Sequence, residues 1–541
     1  MKMKRVLALL MVACMLFALL SACATDSPAA DPPATDGAAA NGADDDASGG
    51  GGDAPAAGED MEVDLSDVVE ITMYSSGWVN QPFPEDDPFR EFVLDHFNID
   101  LQLIIVPDGD MPQRVFAAVA AGNDPDFLYF RHKPLMQQLH EQGVLVQDHA
   151  IFLDRLPNIM SFTTDLMLTA VTYYGEMFAL PRRAEAANYS AFLVRQDYLD
   201  ALGLDIPETS EDMLNLFRAL TFDDPTGTGD TTFGMGAAGN NAGLGGMWNL
   251  RFMFGPTGFF IEDNELRHDR FEESFVEFLD FMRIAYSEGI IDPDFYIMTG
   301  EAFDAALYGG RYGVTFGQPL LALWMENATG MTGRYIDVWT PIPAPAGPSG
   351  RGGRYPEVPP VGGFYGIFDM ATEDPIKLER LLYFIDQSQY PSEAYWALRW
   401  GIGIYDTAVV TPFADGALFF PQAGDPRAMA GSLWDYGCWI GTAIDRVKYS
   451  PGAYPTELDY NVAYNESITV QFDRFMSLDF LISFDAGRVE NFTLATEEFA
   501  FQYITGQTDD IDGFRERLNA MGWQDYMDSA REQLRAVGLL D

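Results

Sequence analysis

Apolar and polar positions alternate with two different periods along the first third of the folded chain. Val68-Val69-Glu70-Ile71-Thr72-Met73-Tyr74 reads as a strand that runs out at Ser75-Ser76-Gly77-Trp78. Pro88 to Phe97 reads as a helix, and Ile99 to Val106 as a second strand. Met111 to Ala121, apolar at Val115, Phe116 and Val119, predicts a helix that Gly122 stops. Asp126-Phe127-Leu128-Tyr129-Phe130 is a third strand. This order implies a parallel sheet, and ligands of such sheets sit beyond the C-terminal strand ends. Here those ends are the loop at Trp78, the turn 107–110, and Arg131-His132. Ala191 to Val194 is another strand, leading into a short helix from Asp197 that ends at Gly203. Thr209 or Ser210 caps the next helix, whose apolar stripe is Met213, Leu214, Phe217 and Leu220.

With 541 residues, the chain exceeds one ordinary core, so several domains or a large two-lobed body are expected. Its start is different in kind. Lys2, Lys4 and Arg5 precede an apolar run from Val6 to Leu20, too short for a membrane span of about 20 residues and suited to a signal peptide. The run ends Leu20-Ser21-Ala22-Cys23, which resembles the bacterial lipobox, where cleavage precedes a cysteine that takes lipid. That resemblance implies a lipoprotein signal peptide over 1–22, an anchor at Cys23, and a place on the outer, extracellular face of the cytoplasmic membrane. The plainer alternative is an ordinary signal peptide with a chance cysteine. Residues 23–64 are mainly Ala, Asp, Gly, Pro and Ser and cannot bury enough to order themselves, so they read as a disordered tether. Cys14 leaves with the signal and Cys23 carries the anchor, so Cys438 has no partner for a disulfide.

Charge then narrows the partners. There are 82 acidic and 32 basic residues, a net charge of -50. The tether holds eleven acids and no base, which leaves the folded body 71 acids against 29 bases, a net of -42. This argues against nucleic acid and against a polybasic hold on anionic lipid. At long range it favours neutral or cationic solutes, a preference that a few local arginines would reverse.

Several stretches, in order, resemble the family 1 extracellular solute-binding proteins of bacterial ABC importers, in particular large Gram-positive lipoproteins of the LipO type. Gly122-Asn123-Asp124-Pro125-Asp126 is similar to the family's Gly-x-x-Pro-Asp turn. Tyr174-Gly175-Glu176-Met177-Phe178-Ala179-Leu180-Pro181 resembles its Gly-x-x-Tyr-Ala-x-Pro segment, with Phe178 in place of tyrosine. The stretch from Val194 to Gly203, followed by Pro207-Glu208-Thr209, matches best. Gly289-Ile290-Ile291-Asp292-Pro293-Asp294-Phe295 and the closing segment from Ile504 to Leu539 also match.

The resemblance implies an α/β, two-lobed periplasmic-binding-protein-like fold of class II type, with a ligand cleft between hinge-connected lobes. Lobe I would take 65–187 and 361–430, lobe II 188–360, and a C-terminal helical part, 431–541, would complete both. Crossings are expected near Pro181–Ser190 and Val358–Gly363, with the Pro/Gly-rich stretch 341–353 as an exposed loop. The implied function is capture of a carbohydrate, an oligosaccharide, and delivery to the permease of an ABC transporter by a monomeric, non-enzymatic protein. Capture of a peptide or other small solute, or surface sensing, are alternatives in the same architecture. A glycoside hydrolase needs only two carboxylates and is the remote one. No His-Glu-x-x-His, Gly-x-Ser-x-Gly, P-loop or Cys-x-x-Cys motif occurs, and His96, His132, His140, His149 and His268 lack metal-ligand spacing.

Sugars stack on aromatic rings and need polar groups for their hydroxyls. Trp78, Trp248, Trp324, Trp434 and Trp439 are therefore the candidate stacking residues, with Asp126, Asn188 and Tyr189 as polar candidates. Core packing is the alternative for each tryptophan, and the better reading for Trp396 and Trp400. Relatives carry a calcium-like loop where this chain has Asp224-Pro225-Thr226-Gly227-Thr228-Gly229-Asp230. Asp224 and Asp230 are candidate ligands of a structural calcium. Threonines stand where relatives offer Asp or Asn, so a turn without its ion is the alternative. Gly234-Met235-Gly236-Ala237-Ala238-Gly239 satisfies a dinucleotide pattern without the strand or helix that it requires, and is expected to be a flexible loop near the cleft.

Overall fold

Three of the apolar runs become neighbouring parallel strands. β1 (Val69–Gly77) pairs with β2 (Ile99–Pro107) on one side and β3 (Phe127–Phe130) on the other. α1 (Pro88–Phe97) and α2 (Met111–Ala120) are the crossovers. Asp87 caps α1 by accepting from the Phe89 N–H at 2.9 Å, and Pro88 fills a first-turn position that needs no donor. α3 (Lys133–Glu141) follows β3. The sheet continues through strands distant in sequence, with β4 (Leu180–Arg183) at its edge.

The computed structural model describes residues 63–77, 87–184, 190–240, 243–317, 338–357, 359–390, 392–400, 411–412, 418–419 and 472–541. The signal segment, Cys23, most of the tether and Cys438 lie outside them.

A second sheet centres on β5 (Ala191–Arg195), which is followed by α4 (Gln196–Leu202) and α5 (Ser210–Phe222). Thr209 is the cap of α5: its hydroxyl accepts from the Asp212 N–H at 3.1 Å while the Asp212 carboxylate accepts from the Thr209 N–H at 3.0 Å. α6 (Glu273–Ser287) packs on α5. β6 (Val314–Gly317) and β7 (Trp339–Ile342) flank β5, both antiparallel to it. The chain then returns to the first sheet as β8 (Val361–Ile367), which lies between β3 and β4 and runs against both. The first sheet is thus mixed, in the order β2-β1-β3-β8-β4. α7 (Pro375–Gln387) covers β1, and Phe97 of α1 meets Phe384 edge-on at 5.3 Å. α8 (Ala486–Ile504) packs against both α3 and α6 and so joins the two lobes, while α9 (Ile511–Ala520) and α10 (Trp523–Ala536) close the chain.

Two expectations are corrected here. The glycine run from Gly234 to Gly239 is not a flexible loop. A Cβ at Gly234 would lie 2.3 Å from the Phe217 ring and one at Gly236 2.2 Å from the Tyr312 ring, so these glycines are sites of close packing. The stretch 341–353 is only partly exposed, because Ala346 exchanges hydrogen bonds with Glu208 and Ser210, and Ala344 is buried.

Two buried polar residues hold the first lobe. Arg380 of α7 is fully buried and donates to the carbonyls of Asp64, Asp67 (3.1 Å), Phe97 (2.7 Å) and Asn98 (3.0 Å). His149 donates from Nδ1 to the Met177 carbonyl, and its Nε2 accepts from the Ile367 N–H, both at 3.0 Å. A proton on Nε2 would face that N–H, and burial pushes the imidazole from 6.5 down to about 4. Stability from this residue is therefore present above pH 6.5 and lost as pH falls toward 4, up to about 3 kcal/mol. Urea unfolding followed between those pH values should show this loss, and His149→Gln should flatten the slope.

Candidate functional site

The reversed strand β8 brings the chain crossings to the ligand edge of the first sheet. Since β8 opposes β3 and β4, its first residue Val361 pairs with Arg183, the last of β4. That edge also carries Ser76-Gly77 of β1, Pro107-Asp108 after β2, and Arg131-His132 after β3. The chain leaves from Arg183 toward Ala191 and comes back from Ile342 to Val361, at the same edge. In the second sheet Ala191 pairs with Gly317, and Phe192 with Ile342, so these residues mark the facing end.

Side chains at the crossings are tightly fitted. Arg182 is almost fully buried, its guanidinium 5.5 Å from the Tyr129 ring centre. A Cβ on Gly363 would lie 2.7 Å from that ring, and one on Gly362 2.7 Å from the Ala184 Cα, so the paired glycines let β8 approach both neighbours. On the facing side Tyr355 is fully buried. Its hydroxyl donates to the Ile342 carbonyl at 2.7 Å and accepts from the Phe192 N–H at 3.0 Å, closing the end of the β5–β7 ladder. Burial pushes this phenol far above its ordinary range. Phe192, Phe252, Phe316 and Phe472 pack around its ring. At the end of β3, Arg131 pairs with Asp108, and His132 lies 4.0 Å from the same carboxylate.

The candidate residues fall in different places. Trp78, Asn188, Tyr189, Trp324, Trp434 and Trp439 lie outside the described residues, as do the side chains of Trp396 and Trp400. Asp126 is buried at the N-terminal start of β3, away from the ligand edge. One carboxylate oxygen accepts from the Thr72 N–H at 2.8 Å and the other from Lys377 at 3.0 Å, which ties α7 to β1. Trp248 lies in a 3-10 helix, Gly245–Met253, and is half-buried. Its ring stacks on Phe278 at 5.5 Å, Arg251 lies 4.6 Å from its centre, and its indole N–H donates to Glu497 at 2.5 Å. Burial raises the Glu497 carboxyl, against hydrogen bonds from the Leu244 N–H and Trp248 that lower it. Sequence reasoning missed Tyr355 and the Arg182–Tyr129 contact. No local pattern marks them, since each becomes meaningful only through a partner many residues away.

The loop Asp224–Asp230 does not fit a calcium ion. Asp224 accepts from the Thr226 hydroxyl at 2.8 Å and the Gly229 N–H at 3.0 Å, and Asp230 from the Thr228 hydroxyl at 2.5 Å. These bonds, led by that from Thr226, hold the exposed Asp224 carboxyl below its usual range. Calcium takes six to eight oxygens, and among the described residues no three acidic, histidine or cysteine side chains are grouped to hold a metal. Calcium or a chelator should leave the melting temperature unchanged; a rise of several degrees with millimolar calcium would overturn this assignment.

Residues 81–369 match the family model described as bacterial extracellular solute-binding protein, which covers more than half of the chain. The chain belongs to that family. Lipoprotein LipO of Bacillus subtilis strain 168 is 24% identical over 299 residues, 53% of this chain and 58% of LipO. The polygalacturonan/rhamnogalacturonan-binding protein YtcQ of the same organism is 23% identical over 359 residues, 64% of this chain and 67% of YtcQ. The chain thus spans little more than half of LipO and two thirds of YtcQ. The ABC-transporter substrate-binding protein FusA of Streptococcus pneumoniae, solved in complex with kestose, superposes with a TM-score of 0.65 at 14% identity, covering 87% of this chain and 99% of that one. This likeness establishes the two-lobed fold.

Proposed function

We propose that the chain captures a carbohydrate, an oligosaccharide, in the cleft between its lobes and presents it to the permease of an ABC importer. The observation that carries this reading is the shared edge, where the C-terminal ends of β1, β2 and β3 and both chain crossings meet. Rotation about β4 and β8 then opens or closes the cleft directly, and a bound solute favours the closed form by contacting both lobes. Family membership and the sugars in the names of YtcQ and the FusA complex support a carbohydrate as the solute.

In this reading the protein is a monomer anchored through lipid at Cys23, on the extracellular face of the membrane. Trp78, Trp324, Trp434 and Trp439 supply stacking surfaces, and Asn188 and Tyr189 supply polar contacts at the crossing. Trp248 and Asp126 position their neighbours. The protein binds and does not cleave, and closure needs no metal, since the loop 224–230 satisfies its own carboxylates.

Thermal-shift screening of an oligosaccharide library should find a sugar that raises the melting temperature and is recovered intact. Turnover of that sugar would overturn the reading. Trp78→Ala should weaken the affinity at least tenfold by calorimetry, with the fold checked by circular dichroism.

A further inference from the structure

A cavity of about 330 Å³ lies where α3 of the first lobe meets the turn and hairpin at residues 257–270, Asp479 and α10. This is within the size range of small-ligand sites, roughly 300–1,000 Å³. Its polar lining has more donors than the protein uses. Gln137 is only 4% exposed, and its Nε2 has no hydrogen-bond partner, a costly state for a buried amide. Lys133 donates to the carbonyls of Phe480 at 3.0 Å and Ile482 at 3.1 Å; burial lowers its ammonium to about 7, and in the protonated form one hydrogen stays uncommitted. Among the described residues, the guanidinium of Arg270 meets no hydrogen-bond acceptor; it lies 5.4 Å from the Trp523 ring centre.

Three of the four carboxylate oxygens of the acids on the same lining accept hydrogen bonds, and Asp269 Oδ1 accepts none. Asp269 accepts from Arg251 at 2.6 Å and lies 2.9 Å from His268 Nδ1. Burial would raise its carboxyl, but Arg251, His268 and Arg270 outweigh burial and hold it well below the usual range. Asp479 accepts from the Phe259 N–H at 3.0 Å and the Ser477 hydroxyl at 2.9 Å. The lining groups left without a hydrogen-bond partner are the Arg270 fork, the Gln137 Nε2, one hydrogen of protonated Lys133 and Asp269 Oδ1, so donors outnumber acceptors and come from both lobes. An acceptor-only group matches that set, and a carboxylate suits the planar guanidinium best.

We propose that this cavity receives the carboxylate of an acidic sugar unit, paired with Arg270 and bonded by Gln137 Nε2 and Lys133. The proposal rests on the carbohydrate reading above and names the solute class. It also gives closure an electrostatic component, because Gln137 and Lys133 belong to α3 and Arg270 to the facing lobe.

Calorimetry on the full chain, with uronate-bearing disaccharides each compared with its carboxyl-reduced neutral counterpart, tests it. A uronate form should bind at least tenfold more tightly than its neutral counterpart. Arg270→Gln should weaken that binding at least tenfold. Gln137→Glu, nearly isosteric and placing an acid against the carboxylate, should do the same and serves should the arginine variant not fold. Equal affinity for the acidic and neutral forms, or equal binding of free acetate, would overturn the proposal. Tight binding of neutral oligosaccharides alone would overturn it and leave the carbohydrate reading standing; a chain that binds no sugar would remove both.

Discussion

One strand running against its neighbours organises the molecule. β8 enters the first sheet between β3 and β4 and opposes both, so the returning chain arrives at the edge where β1, β2 and β3 end. Had β8 run parallel, its first residue would lie at the far edge, and the return path would cross the lobe before reaching the cleft. Its reversal needs close approach on both sides, which Gly362 and Gly363 permit by offering no Cβ to Ala184 and Tyr129. The cleft, the crossings and the packing of Arg182 all follow from that placement.

Local pattern predicted local structure well. The three parallel strands, the helix stop at Gly203 and a cap at Thr209 or Ser210 were readable because each depends on residues within a few positions. The candidate site was less legible for physical reasons. Asp126 is a polar residue beside a strand, but only the strand's direction tells which end of the sheet it occupies. Trp248 follows a polar, glycine-rich stretch, yet its partners Phe278 and Glu497 come from later helices. The spare donors Lys133, Gln137 and Arg270 converge from separate segments of chain.

Charge looks different at the two scales. A folded body with a net of -42 repels anions at distance. Inside the cavity, Arg251 neutralises Asp269, and most of the unspent groups are donors. Over a Debye length of about 8 Å the average charge is screened, and the lining decides. An acidic exterior and an acid-selective interior are therefore compatible, the first affecting encounter rate and the second affinity.

The Arg380 clamp has a mechanical consequence. By holding the carbonyls of Asp64 and Asp67 together with those of Phe97 and Asn98, it ties the chain leading into β1 to α7 and to the end of α1. A pull on the chain before residue 63 is taken up by these bonds and passed into the first lobe, at the edge opposite the cleft. The load path bypasses β4 and β8. In the proposed closure, tension at the N-terminus would then load neither crossing strand.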